Sequence, residues 1–87
     1  MEKTLNVEIV TPASVVYKGS ATSVSLPGTK SPFQVLYNHA AIVSTLDEGK
    51  IKINSTDGEK VFVTSTGFAE VNNNTVSVLV ETAEEAN

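Results

Sequence analysis

The chain has 87 residues, 40% of them hydrophobic and 18% charged, with a formal net charge of −4. That describes one small domain with a thin core, too apolar to be disordered. Its six scattered basic residues make a poor surface for nucleic acid or an anionic membrane, and without cysteine there is neither a disulfide framework nor a thiolate zinc site.

No apolar run approaches the ~20 residues of a membrane-spanning helix. Met1-Glu2-Lys3-Thr4 lacks the charged-then-apolar layout of a secretory signal, so a cytoplasmic protein is expected. On the same ground the sequons Asn54-Ser55-Thr56 and Asn73-Asn74-Thr75 read as turn residues rather than glycan acceptors.

In chain order, Leu5, Val7 and Ile9 alternate with Asn6 and Glu8 as a half-buried strand that Pro12 ends. Val15 to Tyr17 predict a short strand stopping at Gly19. Ala21 to Leu26 predict a third, with Val24 and Leu26 on one face and Ser23 and Ser25 on the other, closed by Pro27-Gly28. Thr29 to Pro32 is a loop, and Phe33 to Tyr37 a brief apolar strand broken by Asn38-His39-Ala40.

Ile42 to Leu46 and Gly49 to Ile53 read as a hairpin around Asp47-Glu48-Gly49, with Lys50 and Lys52 wetted and Ile51 and Ile53 buried. Asp57-Gly58 is a hairpin-turn signal. Lys60 to Thr64 places Val61 and Val63 on one face and Phe62 on the other. After Thr66-Gly67 comes Phe68 to Val71. Asn72-Asn73-Asn74 predicts a tight turn because Asn tolerates positive φ. Thr75 to Glu81 closes the domain with Val76, Val78 and Val80 on one face.

Short strands at intervals of roughly eight to ten residues predict an all-β fold. The expected form is a β-sandwich or flattened barrel of about eight to ten mainly antiparallel strands. Residues 1–81 form the domain, and 82–87 read as a short, helix-leaning tail that frays.

Candidates for chemistry are few. His39 is the sole histidine and has no second His, no Cys and no G-x-S-x-G nucleophile to work with. Asp47 and Glu48 are adjacent, so on a strand they point to opposite faces and do not share a proton. Glu81, Glu84 and Glu85 read as a solvated end, and no phosphate-binding glycine motif occurs. No catalytic residue, metal or cofactor is expected. Phe62, Leu79 and Val16 are apolar on the face opposite the core pattern, where they either pack on a neighbouring strand or form a docking surface.

Several segments together resemble a known family. These are Leu5-Asn6-Val7-Glu8-Ile9-Val10-Thr11-Pro12, Val16-Tyr17-Lys18-Gly19, Leu26-Pro27-Gly28, Asn38-His39-Ala40, Leu46-Asp47-Glu48-Gly49, Gly67-Phe68-Ala69-Glu70-Val71 and Thr75-Val76-Ser77-Val78-Leu79. In order and spacing they resemble the epsilon subunit of the F-type ATP synthase over nearly the whole chain. The resemblance implies a non-catalytic central-stalk rotor subunit that links the gamma subunit to the c-ring and couples proton-driven rotation to ATP synthesis. It implies His39, Ala40 and Ser44 near gamma, and the loop Lys30-Ser31-Pro32 near the c-ring. Membrane contact would come only through the complex, on the cytoplasmic face of a bacterial inner membrane, with a plastid thylakoid as the alternative.

The sequence departs from the family in two places. Its loop before the fourth strand, Thr29 to Phe33, lacks the usual glycines and acids, and the chain stops at Asn87 before the helical hairpin that can inhibit hydrolysis. Hairpin-based inhibition is therefore not implied. The competing reading is a free-standing β-sandwich binding module for carbohydrate or peptide, although the five aromatics are dispersed. An enzyme comes third.

Overall fold

The N-terminal alternation builds an interior strand of one sheet. In the computed structural model, which describes residues 3–86, Leu5, Val7 and Ile9 of β1 (Leu5–Val10) are wholly buried, and Asn6 lies in solvent. β1 pairs antiparallel with β2 (Val15–Ala21) and parallel with β9 (Thr75–Val80). β8 (Gly67–Asn72) and β5 (Ile42–Leu46) complete the first sheet in the order β2-β1-β9-β8-β5.

The second sheet runs β10-β7-β6-β3-β4, from β10 (Ala83–Ala86), β7 (Gly58–Thr64), β6 (Gly49–Ser55), β3 (Ser23–Leu26) and β4 (Phe33–Leu36). Among the described residues there are ten strands and no helix. The fold is an all-β sandwich, as the strand spacing predicts. Val24, Leu26, Ile51, Ile53 and Phe62 face the inner side chains of β1 and β9 across the core. At its margin the Tyr17 ring of the first sheet meets Phe62 of the second, with centroids 5.4 Å apart.

Two turns match their sequence signals. Asn73 and Asn74 both have positive φ, 49° and 61°, and join β8 to β9 in a two-residue turn. In the β6–β7 hairpin the positive φ falls on Gly58 (121°) and not on Thr56 or Asp57, as in a turn followed by a glycine bulge.

Four expectations are overturned. Ile42–Leu46 and Gly49–Ile53 are not a hairpin: β5 pairs with β8, β6 pairs with β7 and β3, and the chain crosses between sheets at Asp47-Glu48. A two-residue hairpin loop needs positive φ, and neither Asp47, Glu48 nor Gly49 adopts it. The Asp47 amide instead donates to the Pro27 carbonyl (2.8 Å). A similar crossing at Thr22 divides the expected Ala21–Leu26 strand, and β2 runs on through Gly19 to Ala21.

The second correction concerns Phe62, which lies in the core while Val61 and Val63 face outward, Val63 at 43% exposure. Period-two alternation yields two faces without saying which is inside, and here the larger apolar side chain takes the interior. Val16, grouped with Phe62 as an outward residue, is half-buried and packs against the core.

Third, the tail contains a strand. Ala83 to Ala86 pairs antiparallel with Val61 to Thr64, and Lys60 Nζ meets Glu85 Oε2 at 3.3 Å. So short a segment pays the full nucleation cost of a helix, whereas the free edge of β7 offers ready hydrogen bonds. Fourth, Asn54 belongs to β6 rather than a turn, and its side-chain Nδ2 donates to Ser23 Oγ (3.2 Å). Met1, Glu2 and Asn87, on which parts of the N-terminal and tail readings fall, lie outside the described residues.

Candidate docking surface

His39 and Ala40 sit in the connection from β4 to β5. Asn38 takes a positive φ (65°), and the His39 amide donates to the Leu36 carbonyl at 3.0 Å, closing a turn that ends β4. The Asn38 amide donates to Asn74 Oδ1 at 2.6 Å, which ties the turn to the β8–β9 loop. His39 Nδ1 lies 2.7 Å from the Ala40 carbonyl, and since a carbonyl only accepts, Nδ1 carries the proton. Ser44, midway along β5, is half-buried on the inner face in register with buried Ala69, with its hydroxyl donating to the Thr45 carbonyl (3.0 Å).

Lys30, Ser31 and Pro32 are exposed at the other end of β5. Their loop is anchored on Thr45: the Thr29 amide donates to its carbonyl (3.1 Å), and the two threonine hydroxyls are 2.6 Å apart. A Cβ on Gly28 would lie 2.6 Å from the Ser31 carbonyl oxygen and 2.9 Å from the Phe33 ring, so this tight loop requires glycine. The loop and the His39 turn are thus separated by the length of β5, roughly 15 Å at the usual rise per residue.

Between these ends lies the outer face of the first sheet. Register aligns one row across it: Thr45, Phe68, Leu79, Val10 and Val15. Phe68, Leu79 and Val15 are each more than half exposed, and Phe68 and Leu79 line a shallow depression with Val10 and Pro12. The adjacent row reads Val43, Glu70, Ser77, Glu8 and Lys18, with Val43 70% exposed.

Ile42 on β5, and Leu36 and Tyr37 at the end of β4, are further exposed apolar side chains. The Thr45 carbonyl points away from β8, toward Thr29, and backbone direction alternates along a strand. The Val43 N–H and C=O therefore also point outward, to an edge where no strand pairs with them among the described residues. Single exposed apolar side chains are ordinary, and a register-aligned row of them beside an open edge makes this face the candidate interaction surface. Among the described residues no three His, Asp or Glu side chains gather as a metal site.

Residues 4–86 match the family described as "ATP synthase, Delta/Epsilon chain, beta-sandwich domain". The chain belongs to this family. It is 43% identical over 77 residues to the ATP synthase epsilon chain of Endomicrobium trichonymphae, an alignment covering 88% of this chain and 56% of that one. To the ATP synthase epsilon chain of Campylobacter jejuni (strain RM1221) it is 40% identical over 84 residues, covering 95% and 65%. The chain thus spans between about half and two thirds of the length of these curated relatives.

The fold also matches a chain in a cryo-EM structure of the Euglena gracilis mitochondrial ATP synthase, OSCP/F1/c-ring. The TM-score is 0.89 at 18% identity, over 98% of this chain and 55% of that one. A chain in the Tetrahymena thermophila mitochondrial ATP synthase central stalk/c-ring structure matches with TM-score 0.77 at 19% identity, over 95% and 66%.

In this Delta/Epsilon-type sandwich five of the six site residues named from sequence lie at opposite ends of β5, His39 and Ala40 at one and Lys30, Ser31 and Pro32 at the other, while Ser44 lies in the middle of the strand. Of the outer-face residues, sequence reasoning found Leu79 and missed Phe68 and Val43. The signal for Phe68 was present: the Asn73-Asn74 turn pairs Asn72 with Thr75, and counting back along both strands sets Phe68 opposite Leu79. Val43 carried no such signal, because the partner of β5 is remote in sequence.

Proposed function

We propose that this domain is the rigid body of a non-catalytic central-stalk subunit of an F-type ATP synthase. In this reading it docks on the gamma subunit through the outer face of the β2-β1-β9-β8-β5 sheet and the β5 edge, with His39 and Ala40 at that contact and Ser44 within the edge strand, its side chain turned to the inner side. Lys30, Ser31 and Pro32, at the far end of β5, turn toward the c-ring. The sandwich then couples ring rotation to gamma, and so to ATP synthesis at catalytic sites elsewhere in the complex. Its place is that of a peripheral subunit at the cytoplasmic face of a bacterial inner membrane, touching the membrane only through its partners.

The observation that carries this reading is the continuous apolar row Phe68, Leu79, Val10 and Val15 beside an open strand edge, in a chain of this family. The domain measures 34 × 26 × 20 Å, and its broadest side is large enough for the ~800 Å² per partner of a standard interface. Torque transfer needs a body that does not deform, and two five-stranded sheets closed on one core meet that need.

The test is co-elution of tagged domain and purified gamma subunit on a sizing column. A stable one-to-one complex is expected. Two separate peaks from well-folded samples would return a free-standing binding module to first place.

A further inference from the structure

We propose that Glu70 is the residue by which this surface selects its partner, and that the docking gamma subunit presents a lysine or arginine side chain to it. The inference rests on the docking reading above and concerns the chemistry of the partner at one position. Glu70 is the acid of the segment Gly67-Phe68-Ala69-Glu70-Val71, and it stands exposed on the outer face of β8.

Its neighbours on that face are fixed by register. Val43 and Ser77 flank it on the adjoining strands, and Phe68 and Asn72 lie before and after it on β8. None is a cation. The nearest basic residue in its row is Lys18, three strands away on β2, roughly 14 Å at the usual strand spacing, and Lys18 is in register with Glu8. The one ion pair among the described residues joins Lys60 to Glu85 on the other sheet.

While the face is wet this carboxylate is solvated and needs no partner. A protein that covers Phe68, Leu79 and Val43 also strips water from Glu70, and an unpaired carboxylate in a desolvated contact opposes binding. A basic side chain opposite turns that penalty into selectivity.

The experiment measures gamma-subunit affinity by titration for the wild type, Glu70→Gln, Glu70→Lys and Phe68→Asp, with the fold of each checked by circular dichroism. Glu70→Gln is expected to weaken binding about tenfold and Glu70→Lys at least about a hundredfold, with thermal midpoints unchanged. Wild-type affinity for both Glu70 variants, with binding abolished by Phe68→Asp, would overturn the proposal and leave the docking face in place. Absence of wild-type binding, or full binding by Phe68→Asp, would instead remove the docking face.

Discussion

Asn38 and Asn74, 36 residues apart in sequence, hold each other at one end of the sandwich. The Asn38 amide donates to Asn74 Oδ1 at 2.6 Å, and Asn74 Nδ2 donates back to Asn38 Oδ1 at 3.4 Å. Both residues have positive φ, so each turn supplies the conformation that aims its side chain at the other. The pair ties the turn that carries His39 to the β8–β9 loop. Asn74→Gly keeps the backbone conformation and removes both bonds. It is expected to cost about 1 kcal/mol and to speed amide exchange at His39. Unchanged exchange there would show that the turn holds without the pair.

Gly67 starts β8 at the point where its own strand closes on β9. A Cβ there would land on the Leu79 carbonyl oxygen and within 2.8 Å of Val80 Cγ1. Neither can give way, since one is backbone and the other belongs to the core. Gly67→Ala is expected to destabilise the domain by about 3 kcal/mol in chemical denaturation. A loss under about 0.5 kcal/mol would mean that the two strands separate freely at this point.

Phe62 and Phe68 differ in role although both lie on strands of the same domain. Phe62 is buried among Ile51, Tyr17 and the core, whereas Phe68 is 54% exposed. Truncating Phe62 to Ala is expected to cost about 3–5 kcal/mol. Phe68→Ala should stay within about 0.5 kcal/mol in stability while lowering gamma affinity. Thermal melts and a binding titration on the two variants separate packing from docking.

Thr64 is 1% exposed, and its hydroxyl has no hydrogen-bond partner among the described residues. Thr64→Val keeps the shape and removes the polar atom. It is expected to raise stability by about 1 kcal/mol, read from the denaturation midpoint at unchanged slope.

His39 makes its one side-chain hydrogen bond to the carbonyl of the next residue, so the fold does not depend on it. His39→Ala is expected to melt within about 0.5 kcal/mol of wild type and to weaken gamma binding about tenfold. Unchanged affinity together with unchanged stability would take His39 out of the contact.

Local chemistry was legible in the sequence because it acts over a few residues. Alternation at Leu5, Val7 and Ile9 and at Val76, Val78 and Val80 identifies strands with one buried face, and the asparagine run identifies a positive-φ turn. The burial of Phe62 could also have been read, because the Thr56-Asp57 turn sets Phe62 opposite Ile51, which alternates with lysines. Tertiary structure alone decided which sheet each strand joins. Alternation looks the same whether a chain folds back at Asp47-Glu48 or crosses to the opposite sheet there, and β5 is assigned by pairing with β8, a segment more than twenty residues away. For the same reason the proposed docking face emerged only in three dimensions: Val43, Phe68, Leu79, Val10 and Val15 lie on five strands, and only the register between those strands makes them one surface.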